Sequence, residues 1–281
     1  MTSTHKNDSI SENATPAETS AEPSSTIPAP RSPGFWEKFL EKKLYGSKFN
    51  LWKLFYLLRK IYFTIYFRTY FSQFGEDIVL KGFIMKSIRD GFYVDVGCYH
   101  PKKYSNTYKL YRKGWRGINI DLDALKIDAF NMVRGGDCNI VAAISDKPKT
   151  IKHYSFGFYS LVSTIDEKTA LKNREGIQRV KEIKTRTLDE VISSTRYAGR
   201  RIDLLSVDAE GHDLEVLQSL DFEKYQPRLI VVETHLTNMD LILESELHRF
   251  LVNKNYKMVN WVGFTLFYAL PDNGLTLPHI P

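Results

Sequence analysis

From residue 72 onward, short apolar runs alternate with stretches of helical periodicity. The runs Phe92–Val96, Gly117–Asp121, Asn139–Ala143, Asp203–Asp208 and Leu229–Glu233 are nearly continuous in apolar residues. A strand covered by helices on both faces meets water on neither, so such runs predict parallel strands. Helical stretches fall between and after them. Ser105–Lys113 opens on the capping residues Ser105, Asn106 and Thr107 and stops at Gly114, and Asp123–Arg134 stops at Gly135 and Gly136. His212–Leu220 and Leu241–Asn253 follow the fourth and fifth runs. Two last runs, Tyr256–Val262 and Thr265–Leu270, are joined by one short turn at Gly263, which predicts a hairpin. The expected fold is α/β: a Rossmann-like, mostly parallel seven-stranded sheet closed by an antiparallel C-terminal hairpin. The interval from Ile144 to Ile202 is too long for a simple crossover. It is expected to hold a small strand insertion, around Ile151–Tyr154, Ser160–Val162 and Glu182–Arg186, and a helix over Leu188–Ser194.

Ligands of open α/β sheets sit beyond the carboxyl ends of the strands. Those ends read Asp95, Asp121, Ser145–Asp146, Asp208 and Glu233, an acid at or just past each of five neighbouring ends. The first strand runs into Gly97, but Cys98, Tyr99, His100 and Pro101 follow, without the further glycines that let bare backbone approach a pyrophosphate. Asp95 and Asp121 therefore suit a ligand with ribose hydroxyls and a cationic amino-acid tail but no phosphates. S-adenosylmethionine (SAM) is such a ligand, and an NAD-linked enzyme is the less favoured alternative. Asp121 is placed to accept the ribose hydroxyls, and Asp95 lies near the loop expected to hold the methionine moiety, or else organises that loop. Asp146 either meets the adenine edge or is a turn residue of Ser145–Lys149.

The fourth strand ends in a turn that crowds Asp208, Glu210, His212 and Asp213 around Gly211, and the fifth brings Glu233 and His235 to the same edge. Asp213 is read as serving the start of the following helix. Asp208, Glu210, His212, Glu233 and His235 are the candidate catalytic residues, with Asp208, His212 or His235 as the base. Oxygen ligands from Asp208, Glu210 and Glu233 would also suit a divalent metal, though their spacing in sequence does not fix a site.

These stretches together resemble the FkbM family of SAM-dependent methyltransferases. The similarity runs in order through Ser72–Asp77 (SQFGED), Phe92–Pro101 (FYVDVGCYHP), Ser105–Asp121, Ala142–Asp146, Thr185–Val191, Ile202–Leu217 and Ile230–Glu233. The family's D-x-E-G motif falls on Asp208, Glu210 and Gly211. The resemblance implies a class I methyltransferase fold and methyl transfer from SAM, commonly to a hydroxyl of a saccharide, glycolipid or natural product. It also implies that Gln73, Asn106, Gly97 and Asp208 join Asp95, Asp121 and Asp146 at the cofactor. The chain departs from the family in the glycine-poor first loop and in carrying His212 after the motif.

Composition divides the 281 residues further. Residues 1–33 hold five of the eleven prolines, many Ser, Thr, Ala and Glu, and no aromatic residue, so they are expected to be disordered and are no secretory leader. Residues 34–71 carry eight basic groups against two acidic ones, which accounts for the whole formal net charge of +6. Within them, 49–71 places Asn50, Lys53, Lys60, Thr64 and Arg68 on one helical stripe among apolar and aromatic residues. That segment is expected either to lie on an anionic membrane surface or to pack on the catalytic domain or a second copy of it. Its basic residues interrupt it too often for a membrane span, and its apolar face is too wide for nucleic acid. Cys98 and Cys138 form no framework and are read as reduced thiols of a cytoplasmic protein, peripheral to the membrane if the segment binds there. The expected division is a tail (1–33), a basic aromatic helical segment (34–71) and a methyltransferase domain (72–281), with a small-molecule or glycan acceptor. A non-catalytic SAM-binding scaffold is the alternative function.

Overall fold

The computed structural model describes residues 34–36, 38–39, 55, 70–83, 88–155, 163–164 and 179–271. The expected tail 1–33 and nearly all of 49–71 lie outside the described residues, as does the expected strand at 160–162. The chain divides into two units, Met1–Phe67 and Arg68–Pro281, and the site belongs to the second. Among the described residues, no helix is long and apolar enough to cross a membrane.

The second unit opens with helix α1 (Glu76–Phe83) and strand β1 (Phe92–Val96), followed by α2 (Tyr108–Arg112), β2 (Arg116–Asp121), α3 (Ala124–Val133) and β3 (Cys138–Val141). Then come β4 (Ala143–Ile144), β5 (Thr150–Ser155), β6 (Ser163–Thr164), β7 (Arg179–Arg186) and α4 (Leu188–Ser193). The rest is β8 (Leu204–Val207), α5 (Asp213–Gln218), α6 (Phe222–Tyr225), β9 (Leu229–Glu233), α7 (Met239–Glu244), α8 (Glu246–Asn253), β10 (Lys257–Val262) and β11 (Thr265–Ala269). The main sheet has the order β10-β11-β9-β8-β1-β2-β3. β1, β2, β3, β8 and β9 are parallel, and β11 runs antiparallel to both β9 and β10. This is the Rossmann-like sheet with a C-terminal hairpin that the apolar runs predict.

Two-residue alternation sorts the core between the faces. Phe92, Val94 and Val96 pack with Leu188, Val191, Ile192, Val216 and Leu217 on one side, while Tyr93 packs with Leu80, Leu110 and Trp115 on the other. Order reverses between β1 and β8: β2 and β3 extend one way and β9 the other. A crevice opens at such a reversal, beyond the carboxyl ends.

Three elements differ from expectation, each for a local reason. The run 139–143 divides: β3 pairs with β2, while Ala143 and Ile144 pair with Thr185 and Arg186 of β7 in a second, four-stranded sheet. The helix expected over 241–253 is two helices, because Ser245 is extended (φ −67°, ψ 151°) and caps His248 N–H with its hydroxyl at 3.1 Å. The helix expected from Ser105 begins only at Tyr108, since the Thr107 hydroxyl donates to Asp95 Oδ2 (2.6 Å) rather than capping.

Candidate functional site

The crevice is shaped by the loop after β1 and the turn after β8. Val96 and Val207 are paired neighbours, and both chains leave the sheet immediately beyond them. Gly97 has φ +75°, and a Cβ built there would lie 1.7 Å from the carbonyl oxygen of Asp208. Only glycine lets the two turns approach this closely.

The loop from Gly97 to Thr107 is tied down from beneath by Arg134, a fully buried side chain. Its Nε and Nη2 donate to Pro101 O (2.9 and 2.7 Å), Nη2 also to Ser105 Oγ (2.8 Å), and Nη1 to Thr107 Oγ1 (2.8 Å). Thr107 in turn donates to Asp95. Burial raises the Asp95 carboxyl above its ordinary range, against the Thr107 bond and the Arg134 charge, which lower it. Buried charges persist where they are paired in this way.

A cavity opens above Gly97. Its apolar wall is Ile120, Leu122, Ala142, Ala143, Ile144 and Val216, and its polar wall includes Tyr99, Asp121, Lys126, Asp208, Glu210 and His212. Asp121 ends β2 and is held in position: Oδ2 accepts Tyr99 N–H (3.2 Å), Oδ1 accepts Asp123 N–H (2.8 Å), and Lys126 Nζ lies 3.6 Å away. Burial raises its pKa, and Lys126 and those N–H groups pull it back. His212 shares a 3.0 Å hydrogen bond between its Nε2 and Ser145 Oγ.

A second, smaller cavity is lined by Gln73, Phe74, Glu76, Tyr104, Asn106, Val207, Asp208, Glu233, Phe264 and Thr265. Asp208 lines both cavities. Its carboxyl is hydrogen-bonded to that of Glu233, and its Oδ1 is buried without a partner. Burial and Glu233 push Asp208 well above the carboxylate range. Burial also raises Glu233, although the Asp208 bond opposes that. Glu210, in the mouth of the larger cavity, is pushed up to about 7, first by loss of water and then by Asp208, with His235 and Lys126 opposing.

The expected residues thus divide among four places. Gly97, Asp121, Asp208, Glu210 and His212 line the larger cavity. Gln73 and Asn106, expected at the cofactor, line the smaller one with Asp208 and Glu233. Asp95 lines neither and anchors Thr107 below the loop. Asp146 lines neither and is engaged by Lys149 at 2.8 Å, which with the Ser145 hydroxyl lowers it to about 2. Of the candidate catalytic residues, Glu210, Glu233 and His235 come together, with donor atoms within 4.8 Å of one another. His212 instead turns to Ser145. Cys98 is buried and Cys138 half-buried, and both are free thiols. The sequence reading missed Lys126, Tyr99, Ser145 and the aromatic wall of Phe74, Tyr104 and Phe264. Lys126, between Asp123 and Asp128 near the start of α3, was the one signal available for them.

The family model described as "Methyltransferase FkbM domain" matches residues 95–258. No curated protein matches the chain. Among solved structures, a TehB-like SAM-dependent methyltransferase from Corynebacterium glutamicum is similar over 70% of this chain and 88% of its own, at 12% identity and a TM-score of 0.38.

Proposed function

Since the chain belongs to the FkbM methyltransferase domain family, we propose that it transfers a methyl group from SAM to a hydroxyl oxygen of a small polar acceptor, such as a saccharide or glycolipid headgroup. One observation carries this reading: two cavities of different character meet at a single side chain, Asp208. The larger fits SAM by its chemistry. Asp121 keeps acceptor capacity for ribose hydroxyls, the apolar wall suits a purine, and the N–H groups of Gly97, Cys98 and Tyr99 are spent on Ile120 O and Asp121 Oδ2 rather than left for phosphates. SAM, when bound, supplies an electrophilic methyl on a sulfonium.

The chain's own residues do the rest. Gly97 and the Asp208 turn close the floor between the cavities. Gln73, Asn106 and Thr265 offer hydrogen bonds to hydroxyls in the smaller cavity, and Phe74, Tyr104 and Phe264 offer faces for a sugar ring. The acceptor's proton passes to the cluster of Asp208, Glu210, Glu233 and His235, while His212, bonded to Ser145, orders the cofactor side. Holding nucleophile and electrophile in line, away from water, is the main catalytic demand.

Calorimetry tests the cofactor. SAM and its demethylated product should bind and NAD should not, and Asp121→Ala should weaken SAM by about 1–3 kcal/mol, the cost of unpaired hydroxyls. Unchanged affinity in a folded Asp121→Ala variant removes Asp121 from the site. Transfer of labelled methyl from SAM to saccharide acceptors tests the reaction. Alanine at the base should lower turnover about 10²–10⁴-fold with SAM binding intact. SAM binding without transfer to any acceptor favours a binding scaffold.

A further inference from the structure

We propose that Glu210, Glu233 and His235 form a binding site for one divalent transition-metal ion at the meeting of the two cavities. Its part in orienting an acceptor hydroxyl rests on the functional reading above, whereas its existence does not.

The geometry comes first. One donor atom from each residue lies within 4.8 Å of the other two. Metal–ligand bonds of about 2.0–2.6 Å put opposite ligands about 4–5 Å apart, so these donors need little movement to share an ion. The ligands come from neighbouring strand ends: Glu233 closes β9, His235 follows it, and Glu210 follows β8, which pairs with β9 at Val207–Val232. Glu210 adopts a left-handed backbone, φ +52°, a conformation costly for a residue with a side chain and found where local geometry serves a site.

A second observation points independently to a missing cation. Asp208 Oδ1 is buried and makes no hydrogen bond, although its carboxyl is bonded to Glu233 and lies within electrostatic reach of His235. Among the described residues, no lysine or arginine forms an ion pair with Asp208, Glu210 or Glu233. Two buried carboxylates of this edge are instead held by protein cations: Asp121 by Lys126 and Asp95 through Thr107 and Arg134. Near Asp208 and Glu210 the opposing charge includes His235, itself one of the three donors, and a bound cation would add to it. Two carboxylates with one imidazole suit Mn²⁺ or Zn²⁺ better than Ca²⁺, and three protein ligands leave positions open for an acceptor oxygen.

The test is Mn²⁺ added to the full-length chain and followed by electron paramagnetic resonance, in which the bound ion loses the sharp lines of the free one. One ion per chain is expected. Glu233→Gln and His235→Ala should each weaken it at least tenfold, and Zn²⁺ should displace it. Circular dichroism and SAM calorimetry on the same variants report that they fold. No saturable binding, or binding equal in wild type and both folded variants, overturns the proposal. SAM binding in a chain that takes up no Mn²⁺ removes the metal site and leaves the cofactor reading standing. Mn²⁺ binding without SAM binding does the reverse. Protection of the site by an organic amine with no Mn²⁺ uptake overturns the metal and points to an aminated acceptor.

Discussion

Replacing Gly97 by alanine tests the close contact on which the whole site is built. Two costs are separable. A left-handed backbone is unfavourable to any residue with a Cβ by about 1–2 kcal/mol. That applies at φ +75° for Gly97 and equally at φ +91° for Gly211, where a Cβ would meet nothing within 4 Å. At Gly97 the Cβ would also stand 1.7 Å from the Asp208 carbonyl oxygen and 2.7 Å from its carbon. Those are backbone atoms and cannot rotate aside, so β1 and β8 must part at their ends. Overpacking of this kind costs a further ~1–3 kcal/mol. Gly211→Ala should therefore lose about 1–2 kcal/mol and Gly97→Ala about 2–5 kcal/mol, read from urea unfolding with unchanged m-values. The displaced turn carries Asp208, and Gly97 N–H bonds Ile120 O beside Asp121, so SAM affinity should fall at least tenfold in Gly97→Ala alone. Equal losses of stability in the two variants, or full SAM affinity in a folded Gly97→Ala, would refute the argument.

Arg134→Met should cost about 3–5 kcal/mol, because it strips the buried Pro101 carbonyl and the Thr107–Asp95 pair of their cation; a loss under about 1 kcal/mol in thermal or urea unfolding would show that the loop holds itself. Asp213 is pushed up to about 6 by burial and by Asp208, against the N–H groups of Ala209 and Gly211 that lower it. Its folded-state value thus exceeds its unfolded one, so the folded chain binds more protons between about pH 4 and 6 and this group's contribution fades as pH rises through that window, by up to about 3 kcal/mol. Asp213→Asn should flatten that fall in pH-dependent unfolding, and an unaltered slope would assign it elsewhere. Residues 35–71 should bring the chain to anionic liposomes in a salt-sensitive manner that removal of residues 1–71 abolishes. Full-length protein that ignores such liposomes, with an insoluble truncated form, would make the segment part of a core.

The sheet was legible because its strands are buried on both faces. Phe92–Val96 and Leu229–Glu233 are apolar except at Asp95 and Glu233, and have the bounds their runs predict. Where one residue serves two neighbours, sequence alone failed. Val141 ends a strand of one sheet and Ala143 begins a strand of another, yet the string reads as one run. The acids at the strand ends were legible as a set, since topology alone brings them to one edge. Their individual duties were not. Asp95 and Asp121 look alike in sequence, and only the positions of Thr107, Arg134 and Lys126 make the first a buried anchor and the second a cavity wall. Arg134 closes a helix and Thr107 precedes another, so no spacing rule could have joined them to Asp95. The grouping of Glu210 and His235 likewise depends on the register between β8 and β9.

Asp208 belongs to both cavities, and this binds the two ligands to one another thermodynamically. Whatever fills one cavity alters the field and the hydrogen-bonding state of a carboxyl that the other ligand also meets. Any factor by which the cofactor changes acceptor affinity must then equal the factor by which the acceptor changes cofactor affinity. On the proposed function, such a shared wall would make acceptor recognition depend partly on the state of the cofactor, and the demethylated product would be held by an acceptor-bound chain with an affinity different from that of the acceptor-free one.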